Sequence, residues 1–142
     1  DVRLKKLASR LAMAAQSGQY NYSRCLKRGE SGAAGLALAG FVKYAASAVY
    51  LLNHQYTPYY KWMLRGLKEV EKLSDLAEPL NRLASGEDRS VEKIEWICQK
   101  LIEELKRQGL SDGDWDYLEP HAFEVMERIQ NGEIRNLHLM EG

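Results

Sequence analysis

Cysteine is scarce in this chain: Cys25 and Cys98 are the only two, and they lie far apart. That excludes a disulfide-stapled scaffold and matches no zinc spacing; two isolated thiols fit a reducing compartment and predict a cytoplasmic protein. Histidine is almost as sparse. His54, His121 and His138 never stand at ligand spacing from one another or from a cysteine, which argues against a His-based metal centre. No Gly-rich phosphate loop, nucleophile elbow or Ser/His/Asp set occurs, and no Arg is followed four to six residues later by His. Asp112, Asp114 and Asp116 resemble a carboxylate pair for Mg²⁺, but Ser111 and Gly113 make that stretch read as a turn with acidic decoration. Also missing is any long period-two alternation, which excludes a sheet.

Net charge is absent only on average. Residues 1–72 hold 12 Lys and Arg against 4 Asp and Glu, a net +8, and residues 73–142 hold 8 against 16, a net −8. A basic surface for an anionic ligand and an acidic solvated face account for this split. So does pairing between the two halves.

What is present is helical periodicity. The segment 31–53, SGAAGLALAGFVKYAASAVYLLN, is small or apolar on every side and carries one charge, Lys43. A helix of that kind belongs in the middle of a fold. It also has the length of a membrane span. Each Leu, Val or Phe gains roughly 0.3–0.6 kcal/mol on insertion, and a central Lys costs about 3 kcal/mol. These cancel, so a buried core helix with no membrane is predicted.

Around it, residues 2–17 form an amphipathic helix with Leu4, Leu7, Ala8, Leu11 and Ala15 inward and Arg3, Lys6 and Arg10 outward. Gly18 interrupts it, and 18–30 reads as an irregular turn and a short helix ending at Gly29. Thr57 as N-cap and Pro58 at the first helical position predict a helix to Leu73, with Tyr60, Met63, Leu64, Leu67 and Val70 inward and Lys61, Arg65, Lys68 and Lys72 outward. A short helix over 75–84 contains Pro79. Ser90 caps the next, with Ile94, Ile97, Cys98, Leu101, Ile102 and Leu105 inward, and Gly109 stops it. A last helix spans 117–130 and ends at Asn131-Gly132, and a tail with Ile134, Leu137 and Leu139 docks on the bundle. The fold class is all-α: an irregular bundle of about six helices around a buried central helix, in a single helical domain over 1–142.

Two clusters carry chemistry. One is Gln19, Tyr20, Asn21 and Tyr22 with Arg24, Lys27 and Arg28. The other is Asn53, Tyr56, Pro58, Tyr59, Lys61, Trp62 and Arg65. Flat rings with polar edges stack bases or sugars, and Arg and Lys one turn apart neutralise phosphate oxygens. The same residues read equally as wedges between helices beside solvated cations. A central helix that presents both clusters to one hollow would make a ligand site.

These clusters resemble a family. GQYNYSR, YLLNHQYTPYYKWMLR and the closing IRNLHLMEG look like the helical C-terminal domain of bacterial nucleotidyltransferase-like proteins, the domain of unknown function numbered 4037, over nearly the whole chain. A looser likeness, Tyr-x-Pro-x-x-Lys-Trp at 56–62, extends to the helical domains of aminoglycoside nucleotidyltransferases. In that superfamily an N-terminal α/β domain holds Mg²⁺ and a nucleoside triphosphate through Gly-Ser and paired Asp residues, and the helical domain shapes the acceptor site. No Gly-Ser followed by an Asp-x-Asp strand occurs here. The resemblance therefore implies the C-terminal half of a longer protein, in keeping with a first residue, Asp1, that is not Met. It implies a substrate-binding domain that closes over a nucleotide and a small acceptor, has no catalytic residues or cofactor of its own, and needs its catalytic partner domain. Lys61 and Arg65 would meet phosphates; Tyr20, Tyr22, Tyr56 and Trp62 would be ring platforms; Gln19, Asn21 and Asn53 would orient polar groups. The alternative is a non-catalytic module that docks a protein partner or a second copy through its basic half. Nucleic-acid binding is disfavoured by the zero net charge.

Overall fold

Apolar residues at spacings of three and four build the longer helices of this protein, and a computed structural model describes all residues, 1–142, as helices and connecting turns without a strand. The first helix, α1 (Val2–Ala14), buries Leu7, Ala8, Leu11 and Ala12. It does not break at Gly18. It widens into a π-helical segment (Ala15–Tyr22) and runs straight into α2 (Ser23–Lys27), so the predicted irregular turn is helical. Gly18 is needed here for closeness, not for flexibility: a Cβ on it would sit 2.3 Å from Cδ1 of Phe41.

The chain reverses at Gly29, held at φ +72°, and returns antiparallel as α3 (Ser31–Leu52). At one end Arg3 donates to the Leu51 carbonyl at 2.9 Å; at the other, Gly18 meets Phe41. Burial along α3 is graded. From Phe41 onward it is nearly continuous, while the first turns are open and Leu36 is 78% exposed. Length and mean hydropathy (1.5) would let α3 cross a membrane, but 61% of its most apolar stretch is already covered by the rest of the chain.

The segment after α3 departs from expectation. Thr57 is not an N-cap: its hydroxyl bonds that of Ser47 at 2.9 Å, leaving Tyr59 extended, and α4 (Tyr60–Gly66) starts three residues later. Tyr60, now the first helical residue, is exposed and not inward, whereas Met63 and Leu67 are buried as the spacing requires. The helix stops well short of Leu73. It tightens into a 3₁₀ turn (Leu67–Glu69), because Val70 turns extended to enter the core and Leu73 takes the left-handed conformation at φ +67°.

After a 3₁₀ turn (Ser74–Leu76), α5 (Ala77–Ser85) carries Pro79 in its first turn, where a missing N–H leaves no bond unmade. Ser90 caps α6 (Val91–Arg107) by accepting from Lys93 N at 3.2 Å, and all six residues of its predicted inward stripe are buried. α7 (Leu118–Glu127) is shorter than expected. Asn131 does not end a helix but starts one, α8 (Gly132–Arg135), by accepting from Ile134 N at 3.0 Å.

The tail is docked by groups that an amphipathic reading of α1 misses. Lys5 and Ser9 are buried. Lys5 donates to the carbonyls of Leu139 and Glu141, and Ser9 to that of Met140 at 2.9 Å. Ile134 and Leu139 pack on the core, but Leu137 stays exposed.

Candidate functional site

The first cluster sits on the π-helical segment, where each turn holds an extra residue and side chains are re-aimed. Gln19 is committed to the fold. Its Nε2 donates to Glu95 Oε2 and to the Asp116 carbonyl, both at 3.0 Å, and its Oε1 accepts from Leu118 N at 2.8 Å, capping α7. Tyr22 is 1% exposed and donates to the Arg89 carbonyl at 2.6 Å; burial pushes its phenol pKa above the usual value. It offers no ring face to a ligand. Tyr20 is exposed with the Arg24 guanidinium 4.8 Å above its ring, and Asn21 borders a shallow depression with Met13 and Tyr44.

In the second cluster Asn53 is also internal. Its Nδ2 donates to the carbonyls of Val49 at 2.8 Å and Lys72 at 2.9 Å, and its Oδ1 accepts from Lys72 N at 2.8 Å. The remainder faces out. Tyr56 (93%), Tyr59, Tyr60 and Trp62 are all exposed beside Lys61. The Tyr59 and Tyr60 rings pack 4.7 Å apart, and the Arg65 guanidinium lies 5.1 Å from the Trp62 ring. They form an aromatic and cationic ledge, anchored below by Tyr50, which donates to the Met63 carbonyl at 2.6 Å and lies against Gly66.

The two clusters do not share a hollow. The π-helical segment packs on α3, α6 and α7, whereas α4 packs on α3 and α5. No residue of 19–24 borders the cavity that Tyr56 borders. The single pocket expected from the sequence is replaced by the ledge and one cavity beside it.

That cavity, about 550 Å³, lies between α1 and the turn 54–57. Arg3, Lys6 and Arg10 line it from α1, and His54, Gln55 and Tyr56 from the turn. Arg3 and Arg10 are half-buried rather than solvated, and burial lowers the Arg3 guanidinium pKa from its usual value without costing it its charge. No carboxylate lines the cavity, and none of the three cations is in an ion pair. The pattern was legible as Arg3, Lys6 and Arg10 on one stripe, but only the fold puts that stripe against His54.

Elsewhere, two of the three aspartates in the 111–116 turn are paired. Asp112 pairs with Arg128 and Asp114 with Lys106, each at 3.0 Å. Hydrogen bonds and cations hold Asp114 and Glu124 below the usual carboxylate range, led by Lys106 for the first and by Asp112 N for the second. No three His, Cys, Asp or Glu side chains converge to hold a metal. Ser111 and His121 meet at 2.6 Å, with His121 Nε2 donating to the Trp115 carbonyl at 2.8 Å, so Nδ1 accepts from the serine. Both residues are fully buried, and the pair fastens the 111–117 loop rather than presenting a nucleophile.

No curated protein and no solved structure matches this chain. A family model does, over residues 1–63 and not over nearly the whole chain, so the closing IRNLHLMEG lies outside the match. The matched stretch runs from α1 through the cavity to the ledge, and over residues 1–63 the chain is similar to a domain of unknown function, DUF4037.

Proposed function

We propose that this chain is the substrate-binding helical domain of a nucleotidyltransferase-like protein, closing over a nucleotide and a small acceptor and not catalytic alone. The observation that carries the reading is the ledge: four exposed aromatic residues between 56 and 62, flanked by Lys61 and Arg65, meeting a basic cavity at Tyr56. Exposed rings gathered beside fixed cations mark a binding surface rather than ordinary surface scatter. They supply stacking faces for a base and charge for phosphate oxygens. Catalysis of phosphoryl-type transfer rests on positioning and charge neutralisation beside metal ions. This chain supplies cations and rings and no metal-holding carboxylate cluster. The donor set fits phosphate and not Mg²⁺, so the metal would be held by the catalytic partner domain.

Full-length protein, incubated with each of the four nucleoside triphosphates and Mg²⁺, is expected to transfer a nucleotidyl group to a small acceptor. Transfer should fall in a Tyr56→Ala/Trp62→Ala variant that remains folded. A full-length protein inert toward all four nucleotides removes the reading.

A second reading, a non-catalytic module that docks a protein partner or a second copy, is favoured by the same exposed Trp62 and by the +8/−8 split. A monomer in light scattering at low and high salt, with no partner retained in a pull-down, removes it.

A further inference from the structure

We infer that the cavity between α1 and the 54–57 turn binds a polyphosphate group, with Arg3, Lys6 and Arg10 as its cationic wall and His54 across from them. The cavity adjoins the ledge at Tyr56, so the assignment rests on reading that face as a ligand site.

The spacing 3, 6, 10 places the three cations one above another on a single helix face. Like charges stacked this way repel, and most proteins interleave them with carboxylates. Five other cations of this chain do stand beside carboxylates: Arg82 with Glu87, Lys100 with Asp75, Lys106 with Asp114, Arg107 with Glu104, and Arg128 with Asp112 and Glu124. The cavity wall gathers three cations with no anion among its lining residues, and it does so on a concave surface. A concave site lined by one sign of charge focuses its field on an incoming counter-charge.

Arg3 is also preorganised. One arm of its guanidinium is fixed on the Leu51 carbonyl at 2.9 Å, and its remaining N–H groups have no internal partner. Arg3 to Arg10 covers about 10 Å of helix axis, more than a single phosphate bridges and about the span of a di- or triphosphate. The cavity volume, about 550 Å³, accommodates such a group.

Calorimetric titration of this chain with tripolyphosphate, pyrophosphate and orthophosphate tests the assignment. Affinity should rise with the number of phosphates. Arg3→Gln/Arg10→Gln should weaken tripolyphosphate roughly tenfold or more, while the charge-matched variant Arg82→Gln/Arg89→Gln, at two exposed arginines away from the cavity, should leave it unchanged. Because Arg3 also bonds Leu51, Lys6→Gln provides a variant that removes an exposed wall charge without touching that bond, and it should weaken binding as well. Equal losses in the wall and control variants, no binding at all, or single-stranded RNA bound with no dependence on Arg3 and Arg10 would overturn the assignment. Tripolyphosphate held at this wall by a full-length protein that transfers no nucleotide keeps the site and removes the transferase reading. Transfer that survives loss of Arg3 and Arg10 does the reverse.

Discussion

Asn53 and Lys72 are locked together in both directions: the Asn53 amide donates to the Lys72 carbonyl at 2.9 Å, and the Lys72 N–H donates back to Asn53 Oδ1 at 2.8 Å. This clasp ties the end of α3 to the chain leaving α4, so the ledge between them is a closed loop with fixed ends. Asn53→Ala leaves a partly buried N–H and carbonyl without partners and should cost about 2–3 kcal/mol. Chemical denaturation measures that loss; a change within about 0.5 kcal/mol would show that the clasp does not hold the loop.

Gly18 and Phe41 are in contact that no larger residue tolerates, since a Cβ would stand 2.3 Å from the buried ring. Gly18→Ala should destabilise by about 1–3 kcal/mol through overpacking. Phe41→Leu in the same chain should return part of the loss, as two residues sharing one space do not add. A simple sum of the two single losses would place the strain elsewhere.

Tyr56 and Trp62 give the opposite expectation. They are exposed, so Tyr56→Ala and Trp62→Ala should each change stability by less than about 0.5 kcal/mol. A stacked base should lose about 1–3 kcal/mol of binding per ring removed. If thermal melts show large losses instead, the rings serve the core and not a ligand.

Acid stability follows from Glu124. Its carboxylate accepts from Asp112 N at 3.1 Å and pairs with Arg128 at 3.2 Å, which together hold its pKa below the usual value. A depressed folded-state pKa means that the stabilisation is present above the ordinary carboxylate range and lost as pH falls through the lowered value. Asp88 and Asp114 are shifted the same way and add to it. Melting temperature should therefore drop on acidification, and Glu124→Gln should flatten that drop while lowering stability at neutral pH. An unchanged acid profile in Glu124→Gln would contradict this.

The helices with clean stripes were legible in the sequence. Ser90 and the stripe from Ile94 to Leu105 lie as predicted, because a capped amphipathic helix is determined by local chemistry. Residues with two competing uses were not. Gly18 reads as a breaker and turns out to be a contact point, and Thr57 reads as a cap while Ser47, ten residues away, takes its hydroxyl. The same competition affects the site: Gln19, Tyr22 and Asn53 have ligand-like chemistry but are consumed by partners distant in sequence. Arg3, Lys6 and Arg10 looked like a solvated face because nothing local announces that His54 will stand opposite.

The most direct measurement is residue-resolved NMR of the isotopically labelled chain as ATP is added. The largest shift changes should fall on Arg3, Lys6, Arg10 and residues 54–57, continuing along the ledge to Trp62. Changes confined to residues 19–24, or none at all, would contradict the account.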